Sequence, residues 1–378
     1  MDFEGLLKLM VNKRASDLFV TAGVPPSLKI NGRVLPVGQR ALSPEKAREV
    51  VLSIMNEEQR RDFSRVHEAN FAISASGIGR FRVSAFQQRN QIGMVLRRIE
   101  TNIPGFEELH LPSSLKELAL SKRGLIIFVG ATGSGKSTSL AAMIGHRNRN
   151  STGHIISIED PIEFVHQHAK CIVTQREVGI DTDNFEIALK NTLRQAPDVI
   201  MIGEVRSRET MEYAVAFAET GHLCLCTLHA NNANQALDRI TNFFPADRHN
   251  QLLLDLSLNL RAIIAQQLIP TPDTKGRRPA IEILINTPLI ADYIRKGEIH
   301  MMKELMTKSG ESGMQTFDQS LFKLFKNGDI TYEAAIHHAD SANDLRLMIK
   351  LDKKNEPKAE SDNDKTLNMS LTDDRDSF

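Results

Sequence analysis

Cysteine is scarce in this sequence. Cys171, Cys224 and Cys226 are the three present in 378 residues, and none belongs to a C-x-x-C pair, which excludes a zinc ribbon and a disulfide framework alike. The C-x-C inside "HLCLCTLH" reads as buried strand thiols. Net charge is also missing: 47 Lys and Arg balance 47 Asp and Glu, so no overall field draws in nucleic acid or an anionic membrane. No apolar run approaches the about 18 residues that a bilayer-spanning helix needs. The opening "MDFEGLLKLM" lacks a basic n-region and a cleavage site, so a cytoplasmic protein without a transmembrane segment is expected. What remains is ordinary soluble composition, 41% hydrophobic and 25% charged, at a length that accommodates two domains.

The informative stretch is "GATGSGKSTS", Gly130 to Ser139. It fits G-x-x-x-x-G-K-[ST] and follows the apolar run "GLIIFV", the strand-to-helix context in which the pattern carries a mechanism. Glycines let successive backbone N–H groups turn around a phosphate, and the helix that follows offers its partly positive N-terminus. Thr132, Gly133, Ser134, Gly135 and Thr138 are candidate loop contacts. Lys136 is expected to reach the β- and γ-phosphates of ATP, and the Ser137 hydroxyl to ligate Mg²⁺.

Residues 1–100 read as a small α+β domain. "SLKINGRVLPV" shows two strands about an Asn-Gly turn, "SPEKAREVVLSIMNEEQRRDF" a helix opened by Ser43 and Pro44, and "RFRVSAFQQRNQIGMVLRRI" two further strands. Residues 101–112 read as a linker. Over 113–285, apolar strands ("HIISIED", "DVIMIGE", "HLCLCTLHA") alternate with helices, one of them capped by Ser207 and stopped at Gly221. This implies a mostly parallel sheet covered on both faces, a RecA-like α/β core. Residues 286–350 read as helices, with Gly328 as a stop, and 351–378 as a disordered acidic tail.

Hydrolysis requires more than a phosphate loop. Glu204 ends the apolar strand "VIMIGE", at the sheet edge where ligands collect in open α/β folds. The cluster "IEDPIEF" sets Glu159, Asp160 and Glu163 after another core strand, and one of these carboxylates is a candidate for orienting or deprotonating the attacking water. His222 and His229 flank one strand. Seven strand residues span about 20 Å, so both cannot serve one metal, but either can sit beside the γ-phosphate.

In this order, "GATGSGKSTS", "IEDPIEF", "VIMIGEVR" and "AETGHLCLCTLHA" resemble the secretion-superfamily hexameric ATPases. "ASDLFVTAGVPPSLKINGRVLPV", "QREVG" and "GMQTFDQSLFKLFKNGDITYEAA" resemble more narrowly the type IV pilus retraction ATPases of twitching motility, in their accessory branch. The resemblance covers about residues 1–350. It implies a PAS-like N-terminal domain on a RecA-like core, Glu163 as catalytic glutamate, Glu204 as Walker B acid at the Mg²⁺ site and His229 as the His-box histidine. The family's N-terminal domain also contributes arginine to nucleotide at a ring interface. Arg80, Arg82, Arg89 and Arg97 lie in the matching strands, with Arg82 and Arg97 carried as candidate nucleotide contacts and no choice made between them.

Two departures stand out. The four-cysteine zinc module usual in assembly-type relatives is missing, which favours retraction. "AIEILI" at Ala280–Ile285 stands where principal retraction motors have "AIRNLI", so Glu282 reverses a charge that could contact a partner, and the "RQAPD" stretch lacks the acidic residues those motors tend to show there. The implied function is a homohexameric ATPase, peripheral at the inner-membrane face of the pilus base, whose partners are the principal retraction ATPase and the inner-membrane platform protein. Two alternatives are a RecA-fold nucleic-acid motor and a nucleotide-binding ring that only scaffolds the pilus base. "FRVSAFQQRNQIGMVLRR" could track a strand, but neutral charge argues against direct nucleic-acid binding. Lys136, Glu163 and Glu204 argue against a passive scaffold.

Overall fold

The computed structural model describes residues 2–309 and 313–355. The N-terminal part runs α1 (Phe3–Asn12), β1 (Asp17–Val20), β2 (Ser27–Ile30), β3 (Arg33–Pro36), α2 (Pro44–Ser53), α3 (Glu57–Val66), β4 (Glu68–Ala75), β5 (Gly79–Gln88) and β6 (Gln91–Ile99). Its six strands form one antiparallel sheet in the order β3-β2-β1-β6-β5-β4. Asn31 and Gly32 both take positive φ, 49° and 79°, the two left-handed residues that a tight hairpin between β2 and β3 requires.

Two expectations fail here. The helix read from Ser43 through Phe63 is two helices: Asn56 takes the Gln59 N–H at 2.8 Å and receives the Gln59 side chain on its own N–H at 3.0 Å. That reciprocal cap starts a new helix where periodicity alone continued the old one. The edge strand β4 was not anticipated, because its residues do not alternate cleanly between buried and exposed. Residues 101–112, which connect the two parts, pack on the core, with Phe106 buried edge-on against His146 at 5.3 Å.

The second part runs α4 (Ser114–Ala119), β7 (Gly124–Val129), α5 (Lys136–Asn150), β8 (Gly153–Glu159), β9 (Cys171–Glu177), α6 (Phe185–Thr192), β10 (Val199–Ile202), α7 (Arg208–Glu219), β11 (Leu223–Leu228), α8 (Ala233–Asn242), α9 (His249–Asn259), β12 (Leu260–Pro270) and β13 (Arg277–Ile285). The sheet order is β13-β12-β7-β11-β10-β8-β9, parallel throughout except for the β12–β13 hairpin. Central strands are apolar on both faces for a visible reason. Leu125, Ile127 and Val129 of β7 pack with α7, α8 and α9, whereas Ile126 and Phe128 pack with α4 and α5. Fully burying each such side chain contributes about 1.5–3 kcal/mol. Cys224 and Cys226 are buried in β11 as the sequence suggests, and burial pushes the Cys226 thiol up to about 12, which leaves it inert.

Helices α10 (Pro288–Lys296), α11 (Met302–Lys308), α12 (Phe317–Lys326), α13 (Tyr332–His338) and α14 (Ala342–Asn355) follow and extend the core that covers one sheet face. Because α14 continues to Asn355, the first residues of the expected tail are helical; 356–378 lie outside the described residues.

Candidate active site

Four loops leave the carboxyl ends of β7, β11, β10 and β8, four consecutive strands of the sheet, and they enclose a cavity of about 270 Å³. Thr132, Gly133, Lys136 and Ser137 line it from the phosphate loop. Glu159, Asp160 and Glu163 line it from the acidic loop, Glu204 and Arg206 from the end of β10, and Thr227 and His229 from β11.

The phosphate loop is shaped by close backbone approach. Gly130 has φ 153°, and a Cβ there would lie 2.5 Å from the Gln266 carbonyl oxygen and 2.5 Å from Ser134 Oγ. Gln266, buried on β12, fastens the loop by donating from Nε2 to the Ser134 carbonyl at 2.9 Å while its Oε1 accepts from Ser139 Oγ at 2.8 Å. Lys136 opens α5 and donates from Nζ to the Gly130 and Ala131 carbonyls at 2.7 and 2.9 Å. Burial lowers its pKa while Glu204 and Glu163 act in the opposite sense, which puts both carboxylates within electrostatic reach of the ammonium.

On the acidic side, Glu204 is held by two partners, Arg206 Nη2 on Oε2 at 2.7 Å and His229 Nε2 on Oε1 at 3.0 Å. Arg206 also lies 3.6 Å from Asp160. The Thr227 hydroxyl donates to the Gly203 carbonyl at 2.6 Å and locks the end of β11 to the end of β10. Glu159 is buried at the root of the acidic loop, taking Ser157 Oγ at 2.6 Å and Gln175 Nε2 at 3.0 Å, and burial pushes its carboxyl up to about 7. The Asp160–Pro161 peptide is cis. Beyond it Glu163 is exposed at the cavity rim.

The residues present fit a nucleotide with Mg²⁺. Gly133, Lys136 and Ser137 line the cavity from the phosphate loop, and the Lys136 ammonium there lies within electrostatic reach of the Glu204 and Glu163 carboxylates. Ser137 and Glu204 offer hard oxygen donors, and Mg²⁺ typically takes one or two protein oxygens together with phosphates and waters.

Not every expected residue gathers here. His222 sits at the far end of β11, its Nδ1 near the Phe217 carbonyl at 3.2 Å and Thr220 Oγ1 at 3.1 Å. Ser134 and Gly135 face the opposite side of the phosphate loop, against Gln266 and Leu268, and Thr138 does not line the cavity. Arg82 pairs with Glu177 at 2.8 Å and Arg97 with Asp17 at 2.8 Å, and neither lines the cavity of its own chain.

Glu282, expected to meet a partner, is 3% exposed and accepts the Ala233 N–H at 2.8 Å. Strand β13 is buried continuously from Pro279 to Leu284, so a charged residue in its middle is buried too. Sequence reasoning also missed Gln266, which carries no motif, and Arg206, whose place two residues after Glu204 on a strand end was the available signal.

The chain matches the type II/IV secretion system protein family over residues 5–323. It is 73% identical over 374 residues to the type IV pilus ATPase PilU of Pseudomonas aeruginosa, an overlap covering 99% of this chain and 98% of that relative. The type IV pilus retraction ATPase PilT of the same organism is 41% identical over 335 residues, 89% of this chain and 97% of that one. The crystal structure of the pilus retraction motor PilT with bound ADP superposes with a TM-score of 0.86 at 39% identity, over 92% of this chain and all 100% of the other. A RecA-like core with its phosphate loop, acidic loop and histidine strand in place, matched almost end to end, leads to one conclusion: the chain belongs to the type II/IV secretion system protein family and, within it, to the type IV pilus ATPases.

Proposed function

We propose that the chain hydrolyses ATP with Mg²⁺ as a cytoplasmic motor at the base of a type IV pilus and assists pilus retraction as the accessory to a principal retraction ATPase. The observation that carries this reading is the convergence of Lys136, Glu163, Glu204 and His229 on one cavity, in a chain 73% identical to a type IV pilus ATPase.

The backbone N–H groups of the phosphate loop and Lys136 bind and neutralise the phosphates. Glu163, at the rim and free of a fixed cation, orients the attacking water and accepts its proton. Glu204 and Ser137 would hold Mg²⁺, which when bound would supply charge neutralisation at the phosphates. His229 bonds Glu204 through Nε2, so a change at the γ-phosphate passes into β11 and the helix after it.

The ring is a homohexamer in which Arg97 approaches the nucleotide of a neighbouring copy. Both arginines are ion-paired, Arg97 with Asp17 and Arg82 with Glu177, but the Arg97 side chain is 67% exposed against 26% for Arg82. The inner-membrane platform protein and the principal retraction ATPase are the proposed partners. Steady-state hydrolysis by the purified chain and its Lys136→Ala variant tests the chemistry; undiminished turnover in the variant sinks it. Imaging single pili in cells lacking the chain, under low and high load, tests the biology. Weakened retraction under load is expected, and unchanged retraction refutes the motor assignment.

A further inference from the structure

We propose that Glu282 is a positioning residue for the His229 side of the nucleotide site, tying the helix that follows His229 to the C-terminal helices through one buried carboxylate. The proposal rests on the reading of the cavity as a hydrolytic site. Glu282 lies on β13 opposite Ala265 of β12 and is 3% exposed. Its Oε1 accepts the N–H of Ala233, the first residue of α8, at 2.8 Å, and its carboxylate also faces the N–H of Phe317, the first residue of α12. The first turn of a helix presents unsatisfied N–H groups and partial positive charge. Two helix starts from distant parts of the chain therefore face one carboxylate, and one of them is bonded to it.

The ordinary cap of α8 does not make this bond redundant. Asn232 takes the Gln235 N–H at 2.9 Å, and the Ala233 N–H goes to Glu282. Ala230, Asn231 and Asn232 alone separate that helix start from His229, whose ring bonds Glu204. On the other side, Ser320 of α12 accepts the Ile281 N–H at 3.0 Å and Gln315 donates to the Ile281 carbonyl at 2.7 Å. Past Glu282, Ile283 exchanges backbone bonds with Gln315 at 2.8 and 3.1 Å, so the strand is held to α12 and the segment just before it at both neighbours of the carboxylate.

The charged groups facing this carboxylate are Lys303 of α11 and Asp340, which precedes α14. Lys303 is itself bound to Asp340 at 3.1 Å and lies 4.0 Å from Asp318 of α12. Burial raises the Glu282 carboxyl to about 7, so its charge changes within the working range of most ATPase assays.

The test uses the full-length chain and measures kcat and KM for ATP in wild type, Glu282→Ala, Glu282→Gln, His229→Ala and the His229→Ala/Glu282→Ala double variant. Glu282→Ala is expected to lower kcat about tenfold with KM changed less than about twofold, since the phosphate loop is untouched. In the His229→Ala background the same change is expected to add less than about twofold, because the route through His229 is already cut. Wild-type kcat in Glu282→Ala, or an undiminished loss on top of His229→Ala, overturns the proposal.

Should Glu282→Ala fail to fold, Glu282→Gln decides. It keeps an acceptor for Ala233 but never ionises, so its kcat is expected to match wild type at pH 6 and fall about two- to fivefold below it at pH 8. Equal kcat at both pH values overturns the proposal. Wild-type protein without any hydrolysis defeats the motor reading itself, a result distinct from a Glu282 variant that behaves as wild type.

Discussion

Replacing Glu159 by Gln should flatten the pH dependence of core stability. The carboxyl is buried at the end of β8 and its pKa rises from an ordinary 4.5 to about 7. At about 1.4 kcal/mol per pH unit this amounts to about 3 kcal/mol. The sign follows from linkage: the folded state holds the proton more tightly than the unfolded chain. The stabilisation is therefore complete below about pH 4.5 and is lost as pH rises through about 7. Glutamine stays neutral at every pH and still offers an oxygen to the Ser157 and Gln175 donors. Relative to wild type, Glu159→Gln should thus gain about 2.5 kcal/mol between pH 5 and pH 8. At roughly 2–4 °C per kcal/mol, the transition of the nucleotide-binding core should sit about 5–10 °C higher relative to wild type at pH 8 than at pH 5. Differential scanning calorimetry of both proteins at the two pH values measures this. Glu282 titrates in the same direction but is common to both and cancels. Parallel wild-type and variant curves would refute the assignment of a neutral, buried Glu159.

Other substitutions probe the site directly. Glu163→Gln should lower kcat by about 10²–10⁴ while ATP binding, read by a fluorescent analogue, survives; unimpaired turnover would remove Glu163 from its proposed role. Gln266→Ala leaves the Ser139 hydroxyl and the Ser134 carbonyl without their partners, a loss of about 2–4 kcal/mol. It should appear as a raised KM together with a lowered melting temperature, and neither changing would show the loop to be self-supporting. Arg97→Ala should leave nucleotide binding by the isolated chain intact and reduce turnover of the assembled ring. Mixing it with Lys136→Ala subunits should partly restore activity only if the arginine acts on a neighbour.

Much of the candidate site was legible because its signals are local. Phosphate-loop glycines, an apolar strand ending in Glu204 and a histidine closing the next strand can all be read from a few consecutive residues. What escaped depends on partners far away in sequence. Gln266 is 127 residues from Ser139 and 132 from Ser134, and only the parallel pairing of β12 with β7 brings them together. Glu282 was read outward because a carboxylate on a strand is usually solvated; its partner, the Ala233 N–H, is 49 residues distant. The break at Asn56 was local yet hidden, since the apolar periodicity continues across a cap that only hydrogen bonding reveals.

The two sheets meet through the acidic loop itself. Glu100, just past β6, forms a parallel bridge with Phe164, and its carbonyl accepts the Val165 N–H at 3.1 Å. Glu177, which grips Arg82 of β5, also accepts the Ile162 N–H at 3.3 Å. Both fastenings flank Glu163, so the N-terminal sheet is joined to the chain within two residues of the carboxylate at the cavity rim, on either side of it. In the motor proposed above, the element pulled upon and the carboxylate proposed to orient water would then share one short stretch of chain.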